Sequence, residues 1–201
     1  MTDYFALLQE SRRPWIDPDL LRQKFLTLAS DFHPDRVHEA SDSERAGVTN
    51  RYAELNAAFQ CLAEPKLRLR HLLELELGSK PQDIETIPSA LANFFAEVAT
   101  TCRNADIFLA EKKQVLSPIL QVQLFERGQD WLEELSTLQG KLNTLKEKLT
   151  EDLKSTDRNW MTCDSESRQK LLSNLEEIYR LFGYFNRWTN QIHERILQLS
   201  F

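Results

Sequence analysis

Glycine is scarce in this sequence, at five positions in 201. No glycine-rich loop that could cradle a phosphate can be found, and nothing near His33 supplies the nucleophile and oxyanion site a general base would need, so no enzyme activity is expected. Cysteine is equally thin. Cys61, Cys102 and Cys163 are odd in number and far apart, which supplies neither a disulfide framework nor a zinc motif. Without CxxC spacing, Cys102 and Cys163 are expected to be buried thiols and not cluster ligands. No apolar run approaches the ~20 residues of a membrane span. The start, Met1-Thr2-Asp3-Tyr4-Phe5, lacks the basic region and apolar core of a signal peptide, and its early Asp argues against a transit peptide. A reducing cytoplasm is the expected setting. Basic excess is missing too: residues 1–77 hold ten Lys/Arg against thirteen Asp/Glu, half of the chain's formal charge of −6. Neither a nucleic-acid nor a membrane partner is indicated.

What the chain does have is leucine-rich helical periodicity almost throughout, and the fold class it predicts is all-α. Leu21, Phe25, Leu28 and Phe32 recur at steps of four, three and four, and Val48, Tyr52, Leu55, Phe59 and Leu62 do the same. Each is a helix with one narrow apolar stripe, and the two can lie antiparallel with their stripes facing. Between them stands Asp31-Phe32-His33-Pro34-Asp35-Arg36. Pro34 cannot continue the first helix and pushes His33 toward an extended conformation. A polar segment is thus held at the tip of a helical hairpin, where packing does not need it. His33, His38, Asp31 and Asp35 would lie across a loop broken by Pro34, without the helical i, i+4 spacing a metal site favours, and no metal is expected.

Other elements follow from local signals. A short helix is expected over residues 3–10, then a loop with Pro14 and Trp15, the latter folding back onto the helix pair. Asp17-Pro18 is an N-cap and N1 pair opening the second helix, Ser43 caps the third, and Pro65 opens the fourth. His71 and His193 are expected to be partly buried. Gly78-Ser79-Lys80-Pro81 begins a break that runs to Pro88, so the boundaries drawn are 1–77, a linker at 78–88, and 89–201. Ser89 can cap a helix carrying Phe94, Phe95 and Val98. Pro118 should start a long helix with Leu124, Trp131, Leu135, Leu138, Leu142, Leu145 and Leu149 on one seam. Residues 155–165 break the pattern. A last helix repeats it through Leu171, Leu175, Ile178, Phe182, Phe185, Ile192, Ile196 and Leu199. Two complementary seams predict an antiparallel pair with residues 89–116 packed across it.

His33-Pro34-Asp35 between two such helices resembles the signature loop of the J-domain, the module that activates DnaK-type chaperones. Tyr4-Phe5 with Leu7 and Leu8 resembles its first helix, Phe25-x-x-Leu28-x-x-x-Phe32 its second, and Leu55-x-x-Ala58-Phe59-x-x-Leu62 before Glu64-Pro65 the end of its third. Arg68 falls where the fourth helix keeps an Arg. The stretch Arg68-Leu69-Arg70-His71-Leu72-Leu73-Glu74-Leu75 resembles the HscB branch, the J-proteins of iron–sulfur cluster assembly. So do the ungapped spacing from Asp35 to Pro65 and the ending Leu197-Gln198-Leu199-Ser200-Phe201.

The resemblance implies a J-domain followed by an elongated three-helix bundle. It implies a co-chaperone, without a cofactor of its own, that stimulates the ATPase of a DnaK-type, HscA-like partner. His33, Pro34, Asp35 and Arg36 would meet that partner, with Arg22 and Lys24 on the flanks of the second helix. A client, the iron–sulfur scaffold protein, would be held by Phe94, Phe95 and Val98 with Phe182 from the last helix. The outward positions of the second helix, Gln23, Leu26, Thr27 and Ser30, include no base, where J-domains usually present a basic face. Two alternatives stay open: a scaffolding or oligomerisation protein with a vestigial J-domain, and a J-protein serving another client. A monomer is expected over a homo-oligomer.

Overall fold

The computed structural model describes residues 2–32, 41–81, 87–115 and 117–200. Among these there is no strand. The elements are α1 (Tyr4–Leu7), α2 (Pro18–Asp31), α3 (Asp42–Ala63), α4 (Pro65–Leu77), a 3-10 turn (Ser89–Leu91), α5 (Ala92–Gln114), α6 (Pro118–Trp160) and α7 (Ser165–Ser200). The all-α expectation holds.

The chain forms two compact units. One comprises Met1–Gln82 with Glu151–Tyr179, the other Asp83–Thr150 with Arg180–Phe201. The first unit therefore takes in residues 151–179 in addition to the stretch before the expected linker.

In the first unit, α3 packs against α1, α2 and α4. Phe5, Leu8, Leu21, Leu55, Leu62, Leu69, Leu72 and Leu73 are among its buried apolar residues from the N-terminal part. The Asp17 carboxylate accepts from the amides of Asp19 and Leu20, and Pro18 begins α2 with a fixed φ and no donor to lose. α1 is shorter than expected because Gln9 takes a left-handed φ of 54°, which stops the helix. The cap of α3 is Ser41, not Ser43. Its amide donates to Glu44 while its hydroxyl accepts from the Glu44 amide, a reciprocal box that needs a three-residue spacing Ser43 cannot supply. α4 ends at Gly78, whose φ of 69° suits a residue without Cβ.

In the second unit, α5 and the parts of α6 and α7 that belong to it, residues 118–150 and 180–200, form a three-helix bundle. Glu97 pairs with Lys141, and Thr101 donates to Glu134. Arg195 reaches from α7 to the Cys102 carbonyl and to Asp106. Val98, Cys102, Ala105, Phe108, Leu124, Leu135, Leu138, Leu142, Phe185, Trp188 and Ile192 fill the core. Ser89 does not cap α5: it opens a 3-10 turn, and α5 starts three residues on without a side-chain cap.

Residues 155–160 belong to α6, so the break lies at 161–164. The polar run stays helical because Thr156 and Asp157 are buried partners in the first unit. His71 is buried, but His193 is exposed, because it falls off the seam of α7 that buries Ile192. Cys102 is buried, whereas Cys163, in the α6–α7 turn, is only half-buried. No helix among the described residues is long and apolar enough to cross a membrane.

Candidate functional site

The loop expected to meet a chaperone, His33-Pro34-Asp35-Arg36, lies outside the described residues. The helix that delivers it is described to its last turn. Leu21 is buried, Phe25 stacks on Phe59 of α3 at 4.5 Å between centroids, and Phe32 lies under the Arg51 guanidinium at 5.8 Å. These contacts fix the rotation of α2, so its opposite face must point to solvent. Gln23, Leu26, Thr27 and Ser30 are all exposed there.

The two bases flanking that face differ in their surroundings. Arg22 is exposed. Lys24 is bound within the chain, its ammonium 2.6 Å from Glu10 and 3.0 Å from the Gln9 carbonyl. That contact ties α2 to the end of α1 and offsets the Lys24 charge. Among the described residues of α2, Arg22 is the only base without an ion pair, and Leu26, at 55% exposure, is the largest apolar side chain on the outward face.

Behind α2, the loop from Ser11 to Asp17 is held by a set of contacts that spacing alone did not reveal. The buried Asp157 carboxylate accepts from the Arg13 guanidinium through both oxygens and from the Trp15 amide at 3.0 Å. The Trp160 indole donates to the Arg12 carbonyl at 2.9 Å. Arg168 lies over the Trp160 ring at 3.9 Å and pairs with Glu76 of α4. Arg68 is buried, donating to the carbonyls of Pro14 and Leu62, and its guanidinium lies 5.6 Å from the Trp15 ring centre. Burial pulls its pKa down to about 10, so it stays charged at neutral pH. The Arg that the J-domain pattern keeps thus ties the helix α3–α4 corner to the loop. The signal for Asp157 was present: Leu149, Leu153, Asp157 and Trp160 continue the seam at steps of four, four and three.

In the second unit the four residues expected to hold a client separate into two classes. Val98 and Phe182 are core, at 1% and 5% exposure. They offer no surface of their own, because both lie on the seams that close the bundle. Phe94 is half-buried and Phe95 is 41% exposed. Both rings lie against Trp188, at 5.6 and 6.1 Å between centroids, and Tyr184 and Phe185 complete the cluster. Trp188 was not singled out from sequence, although it lies three residues after Phe185 on the α7 seam. Phe95 is therefore an aromatic side chain that is rigidly backed and still open to solvent. Among the described residues no cluster of His, Cys, Asp and Glu could hold a metal ion.

An all-α chain with a capped helical hairpin at its start and a three-helix bundle after it has the architecture of a J-domain joined to a helical bundle. Two solved structures share it along their length. Chaperone HscB from Vibrio cholerae superposes with a TM-score of 0.64 at 20% identity, covering 98% of this chain and 99% of that one. The human co-chaperone protein HscB gives 0.60 at 17% identity, covering 98% and 81%. No protein-family model matches the chain. The chain has the HscB fold.

Proposed function

We propose that this chain is a J-domain co-chaperone of the HscB type. Residues 1–77 act as the J-domain, 78–88 as the linker and 89–201 as the part that holds a client. His33-Pro34-Asp35-Arg36, delivered by α2 with Arg22 beside it, engages a DnaK-type, HscA-like chaperone and favours its hydrolysis-competent state. ATP hydrolysis belongs to that partner, and this chain performs no chemistry itself. The observation that carries the reading is the HscB fold over 98% of the chain, in a sequence with His33-Pro34-Asp35 directly after α2.

The client in this reading is the iron–sulfur scaffold protein. Phe95 is its anchor, Phe94 contributes its open edge, and Val98 and Phe182 act from within the core. The chain works in the cytoplasm as a monomer. Burial of Leu135, Leu138, Leu142, Ile192 and Leu199 within one chain supports this, since no second copy is required to cover those seams.

Single-turnover ATP hydrolysis by the organism's DnaK-type chaperones tests the proposal. Stimulation by the wild type, lost in His33→Gln, is expected. A second reading, a scaffold with a vestigial J-domain, draws support from the single unpaired base on α2. Absence of stimulation from every chaperone tried would favour it.

A further inference from the structure

Large apolar side chains exposed on this protein are concentrated at the start of α6. Ile119, Val122 and Phe125, within about 120° of one another round the helix, are 76%, 62% and 65% exposed. None is required by the bundle, which α6 enters through Leu124 on another side of the helix, with Gly128 placed against the Phe108 ring. Isolated exposed leucines need no explanation, but several large side chains on two consecutive turns form a patch, and such patches mark interaction sites.

The patch has a charged border. Val122, Phe125 and Gln129 follow one line along the helix at steps of three and four. Glu126, Asp130 and Glu133 follow a neighbouring line, roughly 70° round the axis, and all three are exposed. Their charge is uncompensated among the described residues. Arg127 is the sole base from 118 to 140, and both its terminal nitrogens are bound to Glu111 of α5.

We propose that this face of α6 docks a short amphipathic segment of a partner protein, one presenting apolar side chains beside a row of Lys or Arg. The apolar line takes its buried face and the acidic row pairs with its bases. From Ile119 to Glu133 the face is about 21 Å long, enough for three to four helical turns. A second copy of this chain fits less well: antiparallel pairing across the line would set acidic row against acidic row, and parallel pairing would give neither row a base. The surface is distinct from the one around Phe95 and would serve a different partner.

The test uses the full chain and a fluorescent amphipathic Leu/Lys peptide of about 18 residues, with a Leu/Glu peptide of the same pattern as control, read by anisotropy. The Leu/Lys peptide is expected to bind, about tenfold more weakly to Phe125→Ser or Val122→Ser, and at unchanged strength to Phe95→Ser. In Glu126→Lys/Asp130→Lys the preference should invert toward the Leu/Glu peptide. All these positions are exposed, so circular dichroism should report an unchanged fold. Equal binding by wild type and Phe125→Ser, or no charge preference, would overturn the proposal. So would sedimentation of the free chain as a dimer that Phe125→Ser dissociates, which would make a second copy the occupant.

Discussion

The Arg13 guanidinium donates through two nitrogens to the buried carboxylate of Asp157, across 144 residues of sequence. The same carboxylate accepts the Trp15 amide, so one side chain fixes both sides of Pro14. Asp157→Ala leaves a partly buried guanidinium and an amide without an acceptor, which should cost about 2–4 kcal/mol. Asp157→Asn keeps the amide's acceptor and should cost less. Urea unfolding of the full chain, compared at the midpoint, measures both.

Arg68 serves two backbone carbonyls from a buried position. A lysine has one donor group at the end of a flexible stem and cannot cover the Pro14 and Leu62 carbonyls together. Arg68→Lys should therefore destabilise by about 1–3 kcal/mol despite keeping the charge. Thermal unfolding by circular dichroism will show whether the two residues are equivalent there.

His71 gives the first unit a pH dependence. Its Nε2 accepts the Tyr4 amide at 3.0 Å, which requires the neutral ring, and burial holds its pKa below the usual 6.5. The unfolded chain then takes up a proton near pH 6.5 that the native chain refuses. The stability this group contributes is complete above that pH and declines as pH falls from 6.5 toward the lower native value. His71→Gln, which retains an acceptor, should flatten that part of the curve in urea titrations between pH 7.5 and about 5.

Lys24 is engaged by Glu10 and the Gln9 carbonyl, and the outward face of α2 is led by Leu26. Under the proposed function, chaperone stimulation should then depend weakly on salt, changing less than about threefold between 50 and 250 mM. Leu26→Ala should weaken it more than Lys24→Ala. A steep fall with salt would mean that charges elsewhere dominate docking.

The aromatic cluster of the second unit predicts a split between binding and stability. Phe95→Ala removes an exposed ring and, if the proposed client site holds, should weaken scaffold binding about tenfold with little change in melting. Phe182→Ala empties a core position and should cost about 3–5 kcal/mol. Calorimetric titration with the scaffold protein, beside urea unfolding, separates the two effects.

Helix positions were legible where a local rule decided them. Asp17-Pro18, Pro65 and Gly78 each act within a few residues, and α2, α4 and its end fall where they indicate. The rule failed at Ser43, where the position three residues ahead, Ala46, offers no side chain to return the hydrogen bond that Glu44 returns to Ser41. It failed at residues 155–160 for a different reason. Their polarity predicts a break, yet Asp157 and Thr156 are helical residues whose partners lie elsewhere in the sequence. Periodicity placed Phe94 and Phe95 on α5, but not their common support, because Trp188 is nearly a hundred residues away. Residue spacing shows which face of a helix is apolar, and only tertiary contact shows which of those residues stay open.

The interleaving of the first unit has a consequence for how the protein is made. Asp157 and Trp160 reach the N-terminal loop from positions 142 to 148 residues later in the chain, and Arg168 reaches α4 from 92 residues later, so they leave the ribosome well after their partners. At about 5–20 residues per second, the newly made N-terminal segments wait on the order of 5–30 s for their remaining partners. During that interval Trp15 and Arg13 lack the carboxylate that fixes them, and the emerging chain is itself a species that a chaperone could bind.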